Sequence, residues 1–350
     1  LINKKTVFVL GAGVSCPYGY PSGARLRERV CLPQGFWSDY NAYGIVNQIM
    51  DPIEKNRKPQ EVKEFVGIFN KSMIKSIDKF MANNPKFATI GKYIISFEIL
   101  RAEIQSKFGE EAKTEQEKIA YNHRHGNLVP EIFLSQPLFQ GGDWYFYLYN
   151  RIIEEKVGKD ALPDFSNGNL AFITFNYDRS LEHYFYESLC SSFSEVSKQD
   201  IVKCLGNLRI LHVYGQIAPL EWQDPKYGVG YGQNINELLL QKSAANIKTI
   251  YEQEKSPELE EAKKLLAQAE QIFFLGFGYA PENMAILGLP GVISPPCPVY
   301  GTAFNLIQEE VHRILSTVNN GRKARGLFIA PTKIESGDID CLMLLRKHLI

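Results

Sequence analysis

Short apolar runs rich in β-branched and aromatic residues recur along the chain, each closing on small or polar residues. They lie at Thr6–Leu10 and at residues 171–175, 209–214, 272–275, 298–300 and 327–330. Runs of this length are the pattern of strands buried on both faces of a parallel sheet. Helical periodicity occupies the later intervals. Leu181, Tyr184, Phe185 and Leu189 share one face after the second run, and Leu265, Leu266 and Ala269 lie in a charged helix before the fourth. Ile307, Val311 and Ile314 are in register within a helix expected over 304–315. Strand and helix alternating in this way predict an α/β fold, a Rossmann-like doubly wound parallel sheet.

Residues 36–164 depart from that alternation. Val62, Phe65, Val66, Phe69, Met73, Ile77, Phe80 and Met81 recur at helical spacing, and further helices are expected over 92–108 and 144–156, the latter after the Gly141-Gly142-Asp143 turn. The reading is a large helical insertion at 36–164 within a core built from 1–35 and 165–350. Residues 107–127 are polar and charged and read as a mobile connection.

Composition narrows the function classes. Lys and Arg total 39 and Asp and Glu total 39, so no net field draws the protein onto nucleic acid or an anionic membrane, and direct nucleic-acid binding is not expected. The six cysteines are scattered without a CxxC pair, which argues against a zinc ribbon or a disulfide scaffold and predicts reduced thiols, mostly buried, and no metal. No stretch approaches the roughly 18–20 apolar residues of a membrane span, and the Lys-Lys start followed by a five-residue apolar run is too short for a signal peptide. A soluble, cytoplasmic protein is expected.

The candidate chemistry sits where strands end. Gly11, Ala12, Gly13 and Ser15 follow the first strand, with Ser22 shortly before a helix, and glycines there let backbone approach a pyrophosphate held at a helix N-terminus. Asn176 and Asp178 follow the second strand, at the edge where open α/β sheets bind ligands. A carboxamide there can orient a ribose hydroxyl and a water, whereas Asp178 can border the bound cofactor and stabilise developing positive charge, or cap the helix that begins near Leu181. His212 and Tyr214 close the third strand, on one face by its period-two alternation, and histidine there suits a general base near neutral pH. His123, His125, His183, His312 and His348 fall in helices, a loop or the terminus, where solvated roles are expected. Gly276 and Gly278, then Gly301 and Thr302, repeat the strand-to-loop glycine pattern.

In this order, Gly11-Ala12-Gly13-Val14-Ser15 with Pro21-Ser22-Gly23, then Thr174-Phe175-Asn176-Tyr177-Asp178, Leu211-His212-Val213-Tyr214-Gly215, and the loops around Gly276 and Gly301 resemble the sirtuin-like family, particularly its bacterial NAD-consuming branch in anti-phage defence. The resemblance covers roughly half the chain. It implies a chain that binds NAD as substrate and hydrolyses the nicotinamide–ribose bond, with Asn176 and His212 catalytic, the first loop holding the pyrophosphate and the late glycine loops holding the adenosine half. The family commonly places its catalytic histidine immediately before the glycine, a position taken here by Tyr214, so His212 and Tyr214 compete for the base. The four-cysteine module of protein-deacylating sirtuins has no counterpart, which disfavours deacylation. Alternatives are a non-catalytic NAD or ADP-ribose sensor and, behind it, a deacylase or ADP-ribosyltransferase. The resemblance further implies control by assembly, as a homo-oligomer or with a partner such as a DNA-translocating ATPase or an Argonaute-like protein.

Overall fold

The computed structural model describes residues 2–31, 60–106, 142–154, 162–253, 256–289, 291–323 and 329–349. Six strands, β1 (Thr6–Leu10), β2 (Leu170–Thr174), β3 (Arg209–His212), β4 (Gln271–Leu275), β5 (Val299–Phe304) and β6 (Thr332–Gly337), form one all-parallel sheet in the order β3-β2-β1-β4-β5-β6. This is a Rossmann-like α/β fold. The order reverses direction at β1, and such a reversal opens a crevice at the carboxyl ends of the strands on either side.

The central strands are buried along their whole length, as their unbroken apolar runs require. One face carries an aromatic ladder running across four strands. Phe172, Phe8, Phe273 and Tyr300 are register partners, and their rings stack at successive centroid separations of 5.3, 5.3 and 5.1 Å. His348 of the last helix closes the ladder by stacking on Tyr300 at 4.5 Å and bonding Glu335. The His348 side chain is 7% exposed, which corrects the solvated role expected of it. His183 is likewise not solvated, because it stacks on Tyr231 at 3.8 Å.

Around the sheet lie α1 (Gly23–Cys31), α2 (Gln60–Ser72), α3 (Ile77–Asn83), α4 (Ala88–Ile104), α5 (Trp144–Ile153), α6 (Ser180–Ser192), α7 (Lys198–Leu205), α8 (Glu237–Asn246), α9 (Pro257–Gln268), α10 (Pro281–Ile286), α11 (Gln308–Lys323) and α12 (Cys341–His348). Between α1 and β2 the described residues contain helices and no strand. The long periodic stretch expected there divides in two: α2 ends at Ser72, Met73 turns outward with φ +57°, and Ser76 caps α3 by accepting from the Lys79 N–H. Phe65, Phe69, Phe80 and Phe87 then pack ring against ring across the break. Residues 107–127, His123 and His125 lie outside the described residues.

Two sequence expectations shift. The last strand is Thr332–Gly337 and not the run at 327–330, of which the described part is Phe328's successors Ile329 and Ala330 in irregular chain. The third strand stops at His212, so residues 213 and 214 form a turn and period-two alternation no longer relates His212 to Tyr214. All six cysteines are free thiols, two of them buried and four partly so. Among the described residues no helix is long and apolar enough to cross a membrane.

The first loop does not run straight into α1. Residues Ala12–Tyr18 coil into a 3₁₀ segment, and its glycines lie against the loop that follows β4. The Gly11 N–H donates to the Leu275 carbonyl at 3.0 Å and the Gly13 N–H to the Gly276 carbonyl at 3.1 Å. A Cβ on Gly13 would stand 2.8 Å from Gly276 Cα, and one on Gly11 would stand 2.5 Å from the Gly276 carbonyl oxygen. Gly276 itself needs φ +53°. Gly13→Val should therefore lower stability by about 1–3 kcal/mol or more through overpacking of backbone on backbone. Gly278→Ala should leave the melting temperature unchanged, because nothing lies within 4 Å of its added Cβ. Thermal unfolding of the two variants measures the contrast.

Candidate active site

Register brings the sequence motifs to one edge. Leu10 lies opposite Thr174 and Leu275, and Thr174 lies opposite His212, so the residues that follow β1, β2, β3 and β4 leave the sheet side by side. There Leu10, Val14, Ser15, Tyr145, Thr174, Asn176, Asp178, Leu181, Glu182, Ile210 and His212 line a small, partly open cavity. The enclosed space is about that of one water, so a ribose enters only if the lining side chains move apart.

A directed chain of hydrogen bonds organises the wall. Asn176 Nδ2 donates to the Gly11 carbonyl at 3.2 Å and to Ser15 Oγ at 3.1 Å, and Ser15 Oγ donates to Asp178 Oδ2 at 2.8 Å. Because a carbonyl only accepts, the Gly11 contact determines which end of the carboxamide is nitrogen. Asn176 Oδ1 is left buried and without a partner. Asp178 Oδ1 accepts from the Ser180 N–H at 3.2 Å and from Ser180 Oγ, which takes the Tyr145 hydroxyl at 2.9 Å. Asp178 thus caps the first turn of α6 and holds Ser15 at the same time. Burial raises its pKa, against the hydrogen bonds from Ser180 and Ser15.

His212 contacts two acceptors. Nδ1 lies 2.9 Å from the Asn176 carbonyl oxygen and Nε2 lies 2.6 Å from Glu182 Oε1. Tyr214 goes elsewhere: its hydroxyl donates to Asn283 Oδ1 at 2.8 Å in α10 and its ring packs edge-on against Phe175. Burial pushes the Tyr214 phenol up, and the nearby Asp78 and Glu282 carboxylates add to it.

The other expected ligand positions serve the scaffold in this geometry. The Gly11 and Gly13 N–H groups are engaged by the β4 loop, Ala12 supplies a carbonyl to the Cys16 thiol, and Ser22 Oγ accepts from the Arg25 N–H at the start of α1. Thr302 Oγ1 accepts from the Gly276 N–H at 2.9 Å, tying the two late glycine loops together. Gly301 is small because Tyr279 lies over it, its hydroxyl 2.2 Å from where a Cβ would stand. Gly278 borders open space.

Residues 177, 179 and 180 are held from behind by the inserted helices. Tyr177 donates its hydroxyl to Asp78 at the start of α3, and Tyr145 of α5 reaches Ser180. Arg179 forms a two-pronged pair with Glu103 of α4 at 2.8 and 3.0 Å, both side chains buried, while its other donors reach the Val229 and Gly230 carbonyls at 2.7 and 2.8 Å. Next to it, burial and the Arg179 charge lower the His183 pKa to about 4. Trp144 Nε1 donates to the Val14 carbonyl at 2.9 Å, which anchors the first loop as well.

Glu182, Ser180, Tyr145 and Glu103 are absent from the sequence reading. Glu182 leaves a trace there, because it shares the stripe of Phe185 and Leu189 at three- and seven-residue spacing, where a carboxylate is out of place unless it has a partner. The other three have no local signal. Compared with known proteins, the chain matches no family model and no curated protein.

Glu103→Ala strands the Arg179 charge and should cost about 3–5 kcal/mol. Glu64→Ala, which breaks the exposed pair with Lys86, should cost about 1 kcal/mol or less. Urea unfolding of both variants checks the difference.

Proposed function

We propose that this chain binds NAD at the carboxyl edge of its sheet and hydrolyses the nicotinamide–ribose bond, giving ADP-ribose and nicotinamide. One observation carries the reading. At the edge of a sheet with dinucleotide-binding strand order, the cavity wall holds two carboxylates, Asp178 and Glu182, and an unpartnered carboxamide oxygen on Asn176, with no Lys or Arg among the described lining residues. Such a wall favours positive charge developing in a bound group and disfavours an oxyanion.

That is the demand of this reaction. The C–N electron pair leaves with nicotinamide, the anomeric carbon gains oxocarbenium character, a water oxygen bonds to that carbon, and the water gives up a proton. Asn176 Oδ1 accepts a hydrogen bond from a ribose hydroxyl or from the water and so orients it, which is an advantage of position. Asp178, whose pKa burial raises, takes the proton, and His212, in contact with the Asn176 carbonyl and with Glu182, helps to hold Asn176 in place. Between the two candidates for the place beside Asn176, the geometry supports His212, since Tyr214 is committed to Asn283.

A sensor that binds NAD or ADP-ribose without turnover is favoured by one feature, that both His212 nitrogens face acceptors. Effector action in anti-phage defence and restraint by assembly, with copies of itself or with a DNA-translocating or Argonaute-like partner, belong to the same proposal and rest on the family resemblance. Full-rate hydrolysis by a chain shown to be monomeric by light scattering would remove the assembly part.

Reverse-phase chromatography of NAD incubated with the protein tests the activity. Asn176→Ala should lose most turnover with a modest drop in melting temperature, and His212→Ala should lose about 10²-fold or more. Tyr214→Phe should stay near wild type. An inactive Tyr214→Phe beside an active His212→Ala reverses the assignment, and turnover unchanged in all three folded variants removes this cavity as an active site.

A further inference from the structure

We propose that Glu182 is a positioning residue acting through His212: it holds the imidazole doubly protonated, one N–H on its own carboxylate and the other on the Asn176 carbonyl. In that state His212 is the internal cation of the cavity and not a free base. The proposal adds a residue to the hydrolase reading, and its geometry stands without that reading.

The hydrogen-bond directions come first. The Asn176 carbonyl oxygen can only accept, so His212 Nδ1, 2.9 Å away, carries a proton. Nε2 is 2.6 Å from Glu182 Oε1, the spacing of a charge-assisted bond, and among the described residues this is the hydrogen bond Glu182 makes. Both ring nitrogens are donors when the carboxylate is ionised.

Charge balance leads to the same state. The titratable groups facing the cavity are Asp178 and Glu182 from the β2–α6 segment, the Tyr145 phenol from α5 and His212 from β3, while β1 and its loop contribute Leu10, Val14 and Ser15. Two buried carboxylates without a counter-charge are costly in a low dielectric, and His212 is the one member of this described set that becomes a cation near neutral pH. Its side chain is 9% exposed and that of Glu182 is 2% exposed, so solvent does not screen the pair. Burial alone would lower the His212 pKa. The charge and hydrogen bond of Glu182, then the Asn176 carbonyl and the Asp178 charge, outweigh it and raise the value. The pair's stabilising contribution is thus fully present below the unfolded histidine value and is lost as pH rises through the raised folded one.

The consequence reaches Asn176 through the ring, because His212 bonds to both residues. The imidazolium holds the Asn176 main chain on one side, while Gly11 and Ser15 hold its side-chain nitrogen on the other, and together they aim Oδ1. Loss of the Glu182 charge releases the first of these holds.

The test is ring nitrogen NMR of the full chain labelled with ¹⁵N-histidine, with the His212 signals assigned by their loss in His212→Gln. The wild type should show both His212 nitrogens protonated at pH 7. In Glu182→Gln, which keeps size and a hydrogen-bonding group, the midpoint should fall by about one unit or more, leaving a neutral ring with its proton on Nδ1. NAD turnover by the same variant should lose about tenfold or more in kcat with KM little changed. A neutral His212 in the wild type at pH 7 overturns the proposal even if the variant fails to fold, and so does an unchanged midpoint in a folded variant. If the titration shifts as expected and neither protein consumes NAD, the pairing stands and the hydrolase reading fails.

Discussion

The structure depends on a backbone constraint at the carboxyl end of β1. This strand is paired on both sides, and the two loops that leave the reversal point approach so closely that neither Gly11 nor Gly13 has room for a Cβ. Their N–H groups bond to the Leu275 and Gly276 carbonyls, and Gly276 is tied in turn to Thr302. The Gly11 carbonyl then orients Asn176, and Ser15, one turn of the 3₁₀ segment later, links Asn176 to Asp178. The polar wall therefore inherits its geometry from a contact between main chains, which has little freedom to relax.

The helical insertion supplies the second half of that geometry. Along the loop after β2, Asn176 and Asp178 face the cavity, whereas Tyr177 and Arg179 turn to α3 and α4. A buried ion pair such as Arg179–Glu103 is weak evidence for net stability, because desolvation offsets much of its attraction. Its effect is on position. With its donors directed to Glu103 and to the 229–230 carbonyls, Arg179 has one arrangement that satisfies all of them, and the adjoining Asp178 is carried into place.

The electrostatic character of the cavity follows from what the fold leaves out. Cations near the site, such as Arg179, are directed away from it, and the lining is left with carboxylates, a carboxamide, hydroxyls and one imidazole. Histidines in this protein illustrate how strongly the neighbour decides the chemistry. Burial, with the Arg179 charge adding to it, lowers the His183 pKa to about 4, whereas at His212 the Glu182 charge and hydrogen bond help to outweigh burial and the value is raised.

Local pattern alone determined the strands β1 to β4 to within a residue or two, the helical character of the described part of the insertion, and the gathering of Asn176, Asp178 and His212 near strand ends. Strand periodicity and chain-terminating glycines are short-range signals, set by the pleat and by Cβ sterics. Tertiary structure decided everything that depends on which elements meet. The strand order, the shift of the last strand to Thr332–Gly337, the turn that sends Tyr214 to Asn283, and the close approach that occupies Gly11 and Gly13 all arise between segments far apart in the chain. The pairing of His212 with Glu182 is of the same kind. Thirty positions separate them, and only the parallel register of β2 and β3, with α6 rising from the end of β2, brings the carboxylate to the ring.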